Sequence, residues 1–195
     1  VRWQRDGKLI SPMQFIPQLE REGSIIKLDY YMLEEVCRFL RKWMDEGHAP
    51  ICISVNFSRK HLDEDDMVEH IVSILDEHGI AHQYIEIELT ESEDFQNYEI
   101  RTNIVNEGIG SSMDDFGTGF SSLNMIKKLD LKVIKIDRSF IPLETDYSGK
   151  DKDMIMFCNI VTLLRELGKK TIAEGVETQQ QLRYLENAGC DIVQG

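Results

Sequence analysis

The chain has 195 residues, 42% of them hydrophobic and 29% charged, with a net charge of -13. That composition is that of a globular domain. The acidic balance, with no Lys/Arg cluster, excludes duplex nucleic acid as a partner. A small phosphate ligand remains compatible, held by a few local cations or by a metal that offsets the carboxylates.

Residues 12–22 form a predicted helix, with Pro12 suited to its first turn. A stronger helix follows over 26–46, where Leu33, Val36, Cys37, Leu40, Trp43 and Met44 share one face. The β-branched run ICISVNFS at 51–58 is a strand, and 62–78 is helical, with Gly79 as its stop. YIEIELT at 84–90 is the next strand. After a short helix, Ile109 to Met113 lead a strand into DDFGTG. Residues 121–129 read as a short helix, 132–137 as a strand and 142–152 as a loop. A long helix at 153–167 places Met156, Ile160, Leu163, Leu164 and Leu167 on one face. The strand 170–176, the helix 178–188 and a final strand in DIVQG complete the order.

Strands alternating with helices predict an α/β fold with a parallel sheet, either doubly wound or closed into a barrel. No dinucleotide fingerprint and no P-loop is present. The cysteines, Cys37, Cys52, Cys158 and Cys190, show no CxxC pairing and lie in apolar stretches, as buried free thiols of a reducing compartment do. The histidines lack zinc-site spacing. No apolar run reaches the ~18 residues of a membrane span, and no signal peptide is seen. The expected location is cytoplasmic, with room for a membrane anchor upstream.

Polar residues recur where strands end. Asn56 closes one strand, Glu88 and Glu91 the next, Asp114 and Asp115 another, Lys135 and Asp137 another, Glu174 and Glu177 another, and Gln194 the last. Each alone reads better as a solvated strand end or a turn residue than as part of a site. The repetition is what points to a site, since the C-terminal ends of barrel strands converge on one face. Carboxylates with one amide are hard oxygen donors, suited to Mg²⁺ or Mn²⁺ rather than zinc. Adjacent aspartates can serve two ions, an arrangement that cleaves phosphodiesters with metals ~3.5–4 Å apart. A lysine can orient the attacking water and a glutamate can accept its proton.

These residues resemble the EAL-domain cyclic-di-GMP phosphodiesterases over essentially the whole chain. The matching stretches are VRW at 1–3, SPMQFIPQLEREG at 11–23, VNFS at 55–58, ELTES at 88–92, DDFGTGFSSL at 114–123, KIDRSF at 135–140, AEGVET at 173–178 and GCDIVQG at 189–195. The resemblance implies a TIM-type (β/α)₈ barrel modified by one antiparallel strand, as a single domain over 1–195. It implies metal-dependent hydrolysis of cyclic-di-GMP to linear pGpG. Asn56, Glu88, Asp114, Asp115 and Glu174 correspond to metal ligands, and Lys135 and Glu174 to the catalytic pair. Arg2 matches the arginine that meets a substrate phosphate, Asp137 a site carboxylate near the second metal, and Gln194 a polar residue at the metal–water centre. Glu91 and Glu177, with Gly117, Thr118 and Gly119 of the loop itself, correspond to support for the DDFGTG loop, which the family uses for metal binding and dimer contacts. Phe120 stands where tyrosine is common.

The family's motif glutamate falls four residues before this arginine, ahead of Val1, so the chain is expected to be cut at both ends. The alternative to an enzyme is therefore a catalytically inactive cyclic-di-GMP receptor. A partner-binding scaffold with no nucleotide role would leave the polar set without a purpose. Expected partners are cyclic-di-GMP, a second copy in a homodimer, and an upstream sensor or GGDEF domain.

Overall fold

The computed structural model describes residues 1–90, 95–116, 131–141 and 152–195. The expected helix at 121–129 lies outside them, as does the expected loop at 142–152 except for Lys152. The chain divides into two compact units, Val1–Leu89 with Asn103–Gly110, and Thr90–Thr102 with Ser111–Gly195.

The first unit opens with an antiparallel hairpin, β1 (Trp3–Arg5) and β2 (Lys8–Ile10). Its turn is Asp6–Gly7, both at positive φ, 50° and 74°. Glycine tolerates that region and Asp more than most residues, and two such residues give the turn whose twist matches a two-residue hairpin. Helix α1 (Pro12–Glu22) starts on Pro12 and stops at Gly23, which is left-handed at φ 73°.

Helix α2 (Ile25–Asp45) buries Ile25, Asp29, Tyr30, Leu33, Cys37 and Leu40. Leu33, Cys37 and Leu40 belong to the expected stripe, whose other members Val36, Trp43 and Met44 are only half-buried, and the helix packs against α1, against β3 (Ile53–Phe57) and against α3 (Met67–Glu77). Each fully buried leucine of that stripe contributes roughly 1.5–3 kcal/mol. The helix expected over 62–78 is broken. A 3₁₀ turn spans Arg59–Asp63, Glu64 is extended, and α3 begins at Met67. His61 and Glu64 there join a polar network with Asp29 and Tyr30 of α2. Strand β4 (Ile85–Thr90) pairs in parallel with β3, Asn56 opposite Glu88.

Helix α4 (Phe95–Asn106) leads into the second unit, whose parallel strands run in the order β5 (Gly110–Phe116), β6 (Val133–Ile136), β7 (Lys170–Glu174), β8 (Ile192–Gln194). Parallel strands need long crossovers, and helices α5 (Lys152–Glu166) and α6 (Gln179–Ala188) lie in two of them. Ile134, Ile136 and Ala173 form one core with Phe157, Val161 and Leu164 of α5 and Tyr184 and Leu185 of α6. The buried face of α5 is thus Phe157–Val161–Leu164, rotated from the expected one. Met156 and Leu167 are exposed. Apolar residues occur nearly all round α5, so periodicity selects no single stripe.

Asp191 fastens the start of β8 to β7. Its carboxylate accepts from the Thr171 amide at 2.8 Å and the Thr171 hydroxyl at 3.0 Å. All four cysteines carry free thiols, but only Cys37 is buried, and Cys52, just before β3, is exposed.

Candidate functional site

In the second unit, β6 alternates. Ile134 and Ile136 enter the core, while Lys135 lies on the opposite face and is still only 4% exposed. Register sets Lys135 beside Ile172 and Glu174 beside Gln194. Glu174 is therefore the diagonal neighbour of Lys135, within reach of a long side chain. The Lys135 ammonium meets Glu174 Oε1 at 2.5 Å. An ammonium buried this deeply requires an anionic partner.

On the other side of Lys135 the ladder is irregular. Met113 pairs with Ile134 and Phe116 with Ile136, so Asp114 and Asp115 together stand opposite the single residue Lys135. This is a β-bulge, a device that interrupts the two-residue alternation and is common beside active sites. Upstream, the fully buried Arg101 of α4 donates to the Ser112 carbonyl at 2.7 Å, tying helix to strand two residues before Asp114.

Asp137 follows β6 and caps the 3₁₀ turn Arg138–Phe140, accepting from the Ser139 amide at 2.9 Å. Partial burial pushes its carboxyl up. The Ser139 side chain, the Ser139 and Arg138 amides and the Arg138 charge outweigh that and hold it below the usual aspartate value. Gly175, directly after Glu174, has φ 73°, and a Cβ there would lie 2.7 Å from Arg138 Cβ. The turn past Glu174 is thus closed to any side chain. Glu177 is exposed, and its amide donates to Gln181 Oε1 at 2.9 Å. Gln181 and Thr178 form a capping box that starts α6.

In the first unit Asn56 and Glu88 stand on the same rung of β3 and β4. Asn56 is exposed and Glu88 is 4% exposed. Arg2 is exposed, and its guanidinium donates to the Val1 carbonyl at 2.8 Å. Glu91, Gly117, Thr118, Gly119 and Phe120 lie outside the described residues. Among the described residues no three His, Cys, Asp or Glu side chains gather as a metal cluster, and no helix is long and apolar enough to cross a membrane.

A second polar cluster of the first unit was not foreseen. His61 is fully buried, with Nδ1 2.6 Å from Glu64 Oε2 and Nε2 3.1 Å from Asp29 Oδ2. Tyr30 donates to Glu64 at 3.1 Å, and burial, then the Glu64 carboxylate, push its phenol far above the usual value. His61 lies 32 residues from Asp29 and Glu64 lies 34 from Tyr30, and no motif spacing joins the two pairs.

The EAL domain family model matches residues 1–195. The chain is 36% identical over 200 residues to the bifunctional diguanylate cyclase/cyclic di-GMP phosphodiesterase MucR of Pseudomonas aeruginosa, covering 100% of this chain and 29% of that protein. It is 35% identical over 200 residues to the cyclic di-GMP phosphodiesterase NbdA of the same organism, covering 100% of this chain and 25% of that one. The chain therefore spans well under half the length of these relatives. The solved structure of the PaMucR phosphodiesterase in its c-di-GMP complex superposes with a TM-score of 0.87 at 35% identity, covering 100% of this chain and 83% of that one. With the family's strand-end motifs in order and its fold along the whole length, the chain belongs to the EAL domain family.

Proposed function

We propose that this chain hydrolyses one phosphodiester of cyclic-di-GMP, giving linear pGpG, with divalent metal held by Asn56, Glu88, Asp114, Asp115 and Glu174. The observation that carries the reading is the buried Lys135–Glu174 pair at 2.5 Å with two consecutive aspartates opposite the lysine. The donor set suits Mg²⁺ or Mn²⁺, being oxygen only: a carboxylate and an amide share one rung in the first unit. When bound, such ions polarise the phosphate and lower the pKa of water.

The chain's own groups do the rest. Lys135 pairs with Glu174 and supplies positive charge where the phosphate gains negative charge. Glu174 accepts the proton of the attacking water. Arg2 holds a substrate phosphate, and Asp137 and Gln194 supply polar contacts. Glu91, Gly117, Thr118, Gly119 and Glu177 support the metal-binding loop. The same proposal includes a cytoplasmic homodimer and, in the longer protein, an upstream sensor or GGDEF domain. Relatives that carry this domain within much longer proteins support the second of these.

The test is incubation of the full-length protein with cyclic-di-GMP and Mg²⁺ or Mn²⁺, with products separated by chromatography and mass measured by light scattering. The expected result is pGpG from a dimer. Tight nucleotide binding with no pGpG would replace the enzyme by a receptor.

A further inference from the structure

Asn56 is the next-to-last residue of β3, and something must hold the chain where it leaves the sheet. Ser58 is that point. Its amide donates to Asp29 Oδ2 at 2.9 Å, its hydroxyl to Glu20 at 3.2 Å, and its carbonyl accepts from the His61 amide at 3.1 Å. Asp29 belongs to α2, so the β3 exit is tied to a helix rather than to the sheet. The tie is only as firm as Asp29, and Asp29 is held by His61 Nε2 at 3.1 Å. His61 is in turn held by Glu64 at 2.6 Å and wedged between the rings of Tyr30 and Phe57, at centroid distances of 4.9 and 4.6 Å.

A buried array of ionisable groups is a poor means of gaining stability, since apolar residues of equal volume often serve as well or better. What apolar residues could not supply is a fixed acceptor for the Ser58 amide. We infer that His61 is a positioning residue, which through Asp29 and Ser58 fixes the end of β3 and so the approach of Asn56 to metal. The inference rests on the proposed function for its purpose, not for its geometry.

Three variants of the full-length protein test it: His61→Phe keeps a ring without either polar link, Asp29→Ala removes the acceptor, and Asp29→Asn keeps a side-chain oxygen. Mn²⁺ affinity is read from the electron paramagnetic resonance signal of free Mn²⁺, and Ser58 amide exchange from the same samples. The first two variants are expected to weaken Mn²⁺ binding about 10-fold or more, as loss of an outer-sphere partner does, with Asp29→Asn close to wild type. Ser58 exchange should quicken in the same two. If His61→Phe does not fold, Asp29→Ala decides. A folded His61→Phe or Asp29→Ala protein with wild-type Mn²⁺ affinity and a still protected Ser58 amide overturns the inference. Wild type that binds Mn²⁺ without hydrolysing cyclic-di-GMP sinks the proposed function alone. Wild type that binds no Mn²⁺ sinks the metal assignment, and Ser58 exchange then decides the positioning.

Discussion

The ammonium of Lys135 lies 2.5 Å from a carboxylate oxygen of Glu174, across the ladder between β6 and β7 and almost wholly shielded from water. Two roles are open to such a cation, holding the substrate or stabilising charge that develops in the reaction. They separate kinetically. Lys135→Ala is expected to lower the single-turnover rate of cyclic-di-GMP hydrolysis by ~10²-fold or more while affinity falls much less. Affinity falling in step with rate would assign Lys135 to ground-state binding instead.

Chelation gives a second outcome. Excess EDTA should stop turnover in the full-length protein, and Mg²⁺ or Mn²⁺ should restore it, because oxygen-only donors hold these ions exchangeably. Activity that persists in EDTA would contradict the metal assignment.

Gly175→Ala should destabilise the protein by about 1–3 kcal/mol, since the residue needs positive φ and the new methyl meets Arg138. Denaturant melts measure this. Pairing the change with Arg138→Gly, which removes that Cβ, should recover the part due to the clash in a double-mutant cycle and leave the part due to φ.

Asp137 makes stability depend on acid. Its folded pKa is depressed, chiefly by the surrounding donors acting against burial. The stabilisation is then fully present above the unfolded value of about 3.9 and is lost as pH falls through the folded pKa. Urea melts from neutral pH down to about pH 2.5 should show wild type losing more than Asp137→Asn over that interval. Equal losses would leave the cap without electrostatic consequence.

Cys37 is fully buried and its thiol is pushed up to about 11, first by burial and then by Glu34, against Arg38. A disulfide reagent at neutral pH should therefore miss it in the native protein. Cys37→Ser should leave the native thiol count unchanged and lower the count in urea by one.

Helices α1, α2 and α6 and all the parallel strands were legible in sequence, because a helical stripe or a β-branched run is a local signal. The β1–β2 hairpin was not legible, because three-residue strands carry too little alternation to mark them, even beside a turn pair such as Asp6–Gly7. The Lys135–Glu174 pair was readable only as two strand ends; the diagonal register that joins them is a property of the sheet. The break before α3 and the Asp29–His61–Glu64 network were not legible, because residues 32 apart meet only after α2 has packed. Arg101 was hidden for a similar reason: a charged residue inside a helix ordinarily reads as solvated.

The bulge in β5 changes the parity of the chain. From Ser112 to Phe116 that strand takes one more residue than β6 does from Val133 to Ile136. Replacing Asp114 or Asp115 leaves that surplus in place, whereas deleting either one would let the two strands pair evenly throughout. Deleting either aspartate would thus remove the bulge together with one proposed metal donor, whereas a substitution would remove the donor and leave the bulge.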